Sequence, residues 1–218
     1  MPVTILDKYL ENFKQLLIVI SGMSGSNKSD IADEISKTIK CPHINQNNYL
    51  NKDFEEVIEI NNKKIKIWDS DDAIDWIEFN KVVNETLLEH KIIIVSGVSF
   101  NKDKIDFTPD YHIHLKLSKQ ILLEKRHQYI EKHIEDYPDM KNIDELTEKQ
   151  IINQITFPYY LKTTENAIIN KFLNINELQI NDIVKEVFKL VVYFIENKLY
   201  SKRKDLVWNE DTKTYELI

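Results

Sequence analysis

The chain has 218 residues, 42% of them hydrophobic, and a net charge of −7; this length supports one substantial core, read here as a single domain over 1–218. No basic stripe is present and no apolar run reaches membrane-spanning length, which excludes broad electrostatic binding to nucleic acid and a transmembrane anchor. Cys41 is the only cysteine, and the N-terminus carries acids early with no apolar core of a secretory signal, so the expected compartment is reducing and cytoplasmic.

Residues 4–14 read as an amphipathic helix with Ile5, Leu6, Tyr9, Leu10 and Phe13 on one side and a Thr4–Asp7 capping pair. The unbroken apolar run 16–20 then reads as a buried parallel strand. It opens into GMSGSNKS, residues 22–29, followed by a helix with Ile31, Ala32, Ile35 and Ile39 on one face. Strand, loop and helix N-terminus in this order form a phosphate-binding loop, since free N–H groups and the helix dipole suit an anion. Gly22, Met23, Ser24, Gly25, Ser26, Asn27, Lys28 and Ser29 are its expected nucleotide contacts. Lys28 is aimed at the β- and γ-phosphates of ATP and Ser29 at Mg²⁺. The motif's last glycine is replaced by Asn27, and Asn is among the few side chains that tolerate a left-handed backbone. The sequence contains only three glycines, where average usage would give roughly fifteen. Two of them lie in this loop, and the third, Gly97, ends the next strongly apolar strand.

A short strand, 41–45, delivers the loop 46–49 to the same sheet edge, where open α/β sheets bind ligands. Residues 57–68 form a hairpin about a tight Asn61–Asn62 turn. It leads to a helix predicted to start at Ser70, with Asp71 and Asp72 as first-turn acids and Trp76, Phe79, Val83 and Leu87 on its inner face. Residues 91–97 are a second buried strand ending in Ser96–Gly97, and 111–117 a third. There Ile113, Leu115 and Leu117 alternate with His112, His114 and Lys116; no third metal ligand is spaced to join the histidines, so they read as a polar strand face.

Ser118 starts a helix through Arg126, the only arginine outside the tail. The charged stretch 127–149, broken by Pro138, reads as a lid, with Arg126 at its root able to meet phosphate in a forked contact. Thr147 and Gln150 suggest the capping box of a further helix that Pro158 should kink. A last strand at 172–175 and a helix from Asn181, with Val184, Val187, Phe188, Val191 and Ile195 inward, complete a doubly wound α/β plan. A polar tail, 199–218, follows, with room for a small hairpin.

Four stretches, SGMSGSNKS, INQNNYL, WDSDDAIDW and FPYYLK, together resemble the uridine kinase and nicotinamide riboside kinase family of P-loop nucleoside kinases. The resemblance implies a P-loop NTPase fold with a helical lid and a small β-hairpin insertion. It also implies transfer of the γ-phosphate of ATP, with Mg²⁺, to the ribose 5′-hydroxyl of uridine, cytidine or nicotinamide riboside. By the same likeness Trp68 and Asp69 hold the base ring and the ribose hydroxyls, and Tyr49 joins them on the substrate. Lys28, Asn47 and Arg126 occupy the catalytic positions. This sequence departs from the family at Asn27, at Asn47, where an acid would help deprotonate the 5′-hydroxyl, and at Ser96, where another acid is expected. Asp30 and Asp69 are the carboxylates placed to take over metal or proton roles. The expected partner is the nucleoside, with homo-oligomerisation left open. A nucleotide-binding protein that kept the fold and lost the chemistry is the other reading.

Overall fold

The computed structural model describes residues 4–132, 135, 143–204, 206–209 and 214–217. Its centre is a five-stranded sheet in the order β2-β5-β1-β6-β7, comprising β1 (Leu16–Gly22), β2 (His43–Asn45), β5 (Ile92–Gly97), β6 (Tyr111–Lys116) and β7 (Lys171–Asn174). Every pairing is parallel, so the connections cross over the faces and helices cover both sides.

β1 is buried along its whole length because its side chains feed two cores alternately. Leu16, Ile18 and Ile20 pack with Ile31, Ala32 and Ile35 of α2 (Lys28–Ile39) and with Ile183, Val187 and Val191 of α7 (Ile180–Lys204). Leu17 and Val19 pack on the other face with Phe79 and Val83 of α3 (Trp76–Glu89). Phe79 is fully buried and touches the rings of Tyr49, Trp76, Phe100 and Phe107. The doubly wound plan is therefore present, with the loop after β1 at the carboxyl edge of the sheet's central strand. α1 (Ile5–Phe13) carries the Thr4–Asp7 capping box and buries Tyr9 between Phe13 and Phe194 of α7.

The insertion is the antiparallel pair β3 (Val57–Ile60) and β4 (Lys63–Lys66). Its turn residues Asn61 and Asn62 both have positive φ, 51° and 61°, as a two-residue type I′ connection requires. Ile60 and Ile65 bury against Ile151 of α5 (Glu145–Ile151).

Several sequence expectations are corrected. The helix expected from Ser70 divides: Ser70 caps a single 3₁₀ turn, Asp71–Ala73, and α3 starts afresh at Trp76 with Asp75 as its cap. α5 begins earlier than expected, because Asp144 rather than Thr147 is the cap and accepts the Thr147 N–H. The chain then widens into a π turn, Ile152–Thr156, before α6 (Phe157–Glu165), where Pro158 occupies the first turn. Proline has no N–H to give to the carbonyl four residues back and its ring crowds it, so the irregularity falls just upstream. On α7, Phe188 stays 36% exposed and Ile183 and Phe194 are buried instead. Residues 199–204 continue α7, and β8 (Leu206–Asn209) pairs with β9 (Thr214–Leu217). Of the lid span 127–149, α4 (Lys119–Lys132) and α5 supply the two ends, while 133–134 and 136–142, with Pro138, lie outside the described residues. Among the described residues no helix is long and apolar enough to cross a membrane.

The polar face expected on β6 is buried: His112 and His114 are 1% and 2% exposed and both reach the Ser21 hydroxyl, at 2.6 and 2.7 Å. His112 Nδ1 lies 2.9 Å from the Ile168 carbonyl, and His114 Nε2 lies 3.1 Å from the Tyr160 hydroxyl. A carbonyl only accepts, so His112 donates from Nδ1 and receives the Ser21 proton at Nε2. Ser21 then accepts from His114 Nδ1, and His114 Nε2 accepts from Tyr160. Each group in the chain is satisfied, and burial holds both rings neutral, with pKa values pushed down to about 4 for His112 and about 3 for His114.

In the unfolded chain both rings take up protons near pH 6.5, whereas the folded rings resist until about pH 4 and below. Stability should therefore be complete above about pH 7 and fall as pH drops from 6.5 toward 4, by up to about 2–3 kcal/mol per pH unit for two protons. Urea unfolding between pH 7.5 and 4.5 checks this, and the double variant His112→Gln/His114→Gln should show a shallower slope.

Candidate functional site

The loop between β1 and α2 has the backbone that an anion cradle needs. Gly25 has φ +89°, and Asn27 sits in the left-handed region at φ 55°, ψ 25°. At Asn27 the chain turns so that α2 begins at Lys28, and the Asn27 carbonyl accepts the first helical hydrogen bond, from Ile31 N–H at 3.0 Å. Gly25 meets a second demand that its sequence context gave no sign of: a Cβ there would lie 2.9 Å from the Arg126 backbone nitrogen on α4. The loop is thus pressed against the helix that carries the arginine. Met23 is buried in the core below, and the Ser26 hydroxyl is buried with no partner.

A cavity of about 60 Å³ opens at the loop's inner side. Ser24, Lys28, Asn47, Trp68, Asp69 and Arg126 all line it, and the hairpin, α5 and the π turn add an apolar wall of Ile65, Ile67, Ile151 and Ile155. The structure thereby brings together Lys28, Asn47, Trp68, Asp69 and Arg126 from four separate stretches of sequence. It does not bring Tyr49 to them, since that ring packs on Phe79 at 5.5 Å in the core beneath α3. Trp68 lies between Phe54, at 6.3 Å, and Lys66 Nζ, 4.3 Å from its ring centroid. Asn47 donates its N–H to Asn45 Oδ1 at 3.1 Å. Ser29 is half-buried on the first turn of α2.

Arg126, at the start of the charged stretch, is 8% exposed, and its Nη1 donates to Asp69 Oδ2 at 3.2 Å, an oxygen that also accepts the Thr156 hydroxyl at 2.6 Å. Its Nε is buried with no partner. Burial pushes the Lys28 ammonium down to about 8; Asp69 opposes the shift and Arg126 adds to it. One buried carboxylate therefore stands against two buried cations beside two unpartnered donors, Ser26 Oγ and Arg126 Nε. An incoming polyanion supplies the charge and the acceptors that this corner lacks.

Asp71, read as a capping acid, has a larger part. Its Oδ1 accepts from the Tyr159 hydroxyl at 2.9 Å and from Ser99 Oγ at 3.4 Å. Burial and the Asp71 charge raise the Tyr159 phenol far above its ordinary value. Thr156 and Tyr159, which sequence reasoning missed, thus fix Asp69 and Asp71 from across the fold. Gln46 does the same for β5, bonding Val98 N–H, Ser99 N–H and the Ser99 carbonyl, and a Cβ on Gly97 would strike it. A second cavity, about 550 Å³, lies outside the loop between Asn27, Asp30, Ile121, Lys125 and Gln179.

The donors present fit a nucleoside triphosphate with Mg²⁺. Loop amides, Lys28 and Arg126 suit the phosphates, and one hydroxyl ligand, Ser29, suffices for a cation that keeps several waters and phosphate oxygens. Among the described residues no group of three His, Cys, Asp or Glu could hold a metal by itself.

No family model matches the chain, and no curated protein matches it. Solved structures do. A gluconokinase from Sinorhizobium meliloti 1021 superposes with a TM-score of 0.53 at 15% identity, covering 85% of this chain and 97% of its own. An uncharacterized protein from Eubacterium ventriosum gives 0.50 at 12%, covering 81% and 98%. A shikimate kinase from Bacteroides thetaiotaomicron gives 0.49 at 14%, covering 81% and 98%.

Removing Lys28 takes away a buried charge without leaving Asp69 unpaired, because Arg126 remains. Lys28→Met should therefore unfold at the same or a higher temperature than the wild type, while ATP affinity in calorimetry falls by at least tenfold. With the wild type, ATP affinity should weaken above about pH 8 as Lys28 loses its proton.

With identities this low the likeness is one of fold alone: the chain shares the α/β fold of that gluconokinase.

Proposed function

We propose that this chain is an ATP-dependent kinase that phosphorylates a small hydroxyl compound, and that the compound is a nucleoside of the uridine, cytidine or nicotinamide riboside type. The observation that carries the reading is the convergence of Lys28, Arg126, Asp69, Trp68 and Asn47 on one cavity at the phosphate loop. Two cations with unpartnered donors nearby favour a polyanion, and the adjoining tryptophan and carboxylate favour an aromatic ring bearing hydroxyls. The gluconokinase likeness supports a kinase and says nothing of the nucleoside. The outer cavity at Asn27 and Lys125 has room for the adenosine end of ATP.

In this reading Lys28 and the loop amides hold the phosphates, Ser29 takes one position on Mg²⁺, and Mg²⁺ neutralises phosphate charge. Asp69, fixed by Thr156 and Arg126, orients the ribose hydroxyls. Phosphoryl transfer depends mainly on such positioning and charge neutralisation. A cavity of about 60 Å³ holds a few waters and no nucleoside. The hairpin must therefore part from α5 for entry, across the Asn61–Thr147 and Lys63–Asp144 bonds. Asn47 lines the cavity where an acid would take the hydroxyl proton, and an amide cannot accept it. Turnover is accordingly slow.

Uridine, cytidine and nicotinamide riboside, with gluconate as a control, are to be assayed with ATP and Mg²⁺. Phosphorylation of at least one nucleoside is expected, and Asn47→Asp should raise the rate by up to ~10² to 10⁴ by restoring a proton acceptor. Phosphorylation of gluconate alone would overturn the nucleoside assignment. ATP binding with no transfer in either protein would identify a nucleotide-binding protein that has lost the chemistry.

A further inference from the structure

The hairpin brings a third cation to the cavity at the phosphate loop. Lys66, the last residue of β4, lines that cavity together with Trp68, Asp69, Lys28 and Arg126. Its ammonium lies 4.3 Å from the Trp68 ring centroid and 5.8 Å from that of Phe54. Among the described residues it has no carboxylate or hydrogen-bond partner, so its contact is with the two rings. Because Lys66 and Trp68 line the same space, a ligand ring that stacks on Trp68 has to displace the ammonium from it.

Displacement does not send the charge far. The two residues are separated only by Ile67, and the Trp68 N–H bonds the Lys66 carbonyl at 3.1 Å, so any movement of the hairpin carries both. An uncharged ring bearing carbonyl oxygens offers the displaced ammonium an acceptor in exchange for the aromatic face. A cationic ring gains from Trp68 only what Lys66 gives up, and it leaves two like charges side by side. Asp69 does little to offset them. Among the described residues it is the only carboxylate lining this cavity, and its Oδ2 already receives Arg126 at 3.2 Å.

We propose that Lys66 is a specificity-determining residue: it disfavours a ring of fixed positive charge, such as the pyridinium of nicotinamide riboside, and admits the uncharged pyrimidines of uridine and cytidine. This rests on the nucleoside reading above and narrows it to the pyrimidine class. Like charges about 5 Å apart, between aqueous and protein-surface dielectric, weaken binding by a few-fold to over a hundredfold, which makes about tenfold the expected discrimination.

The test measures dissociation constants for uridine and for nicotinamide riboside by calorimetry, with ADP and Mg²⁺ present, on the wild type, Lys66→Met and Lys66→Arg. The wild type should bind uridine about tenfold more tightly than nicotinamide riboside. Lys66→Met keeps the apolar stem and removes the charge, so the ratio of the two constants should fall about tenfold, while Lys66→Arg should hold it within about twofold. High salt should lower the wild-type ratio and leave that of Lys66→Met unchanged. Nicotinamide riboside bound as tightly as uridine by the wild type overturns the proposal, as does one ratio common to all three proteins. A parallel loss of both affinities in Lys66→Met would make Lys66 a support of the hairpin and also overturn it. Failure of the wild type to bind either nucleoside would instead remove the nucleoside reading beneath it.

Discussion

Everything at the ligand side of this molecule depends on one backbone turn in which Gly25 and Asn27 both take positive φ. A strand that runs straight into a helix exposes the helix's unpaired N–H groups to nothing in particular. A left-handed residue just before the first helical turn swings the preceding segment over those groups and makes a concave set of donors. Most side chains oppose that conformation by about 1–2 kcal/mol. Asn opposes it less, and the buried strand and helix on either side hold it in place. The turn is held with asparagine at this position because the rigid β1 and α2 determine where the loop ends must be.

The second organising feature is the helical run that closes the Asp69 side of the cavity. Thr156, Tyr159 and Tyr160 each send a hydroxyl to a different part of the site: to Asp69, to Asp71, and through His114 to Ser21 at the foot of the phosphate loop. The π turn sets Thr156 apart from the following α-helical residues, so neighbouring hydroxyls point to separate targets. Because these groups are buried, each bond left unmade would carry a desolvation cost. Such a network holds the loop and the Asp69 wall of the cavity in one arrangement. It also binds the chain that follows the charged excursion to the sheet.

What the sequence made legible was local. The unbroken apolar runs of β1 and β5, the Asn61–Asn62 turn and the left-handed tolerance of Asn27 are properties of adjacent residues, and all were readable. The partners of Asp69 and Asp71 were not, because Arg126, Thr156 and Tyr159 stand 57, 87 and 88 residues away. For His112 and His114 the alternation of polar and apolar residues indicated a polar face, but only topology decides whether that face meets water. Strand β6 is interior, so its polar face became a buried network. Thr147 looked like a cap, but Asp144 three residues earlier does that work. Phe188 looked inward because it sits at the edge of the buried stripe that the correctly placed Val187, Val191 and Ile195 share with Ile183. The pairing of Gly25 with the Arg126 backbone had no local signal.

The central claim is that asparagine sustains a phosphate cradle through its backbone conformation rather than through its side chain, which makes no capping hydrogen bond. ATP affinity of Asn27→Gly and Asn27→Val, measured beside the wild type, addresses it directly. Glycine adopts the left-handed turn freely, so that variant should bind within about twofold of the wild type. Valine, branched at Cβ, should resist the turn and lose tenfold or more while the core and its unfolding transition persist. Equal affinity in all three proteins would contradict the account.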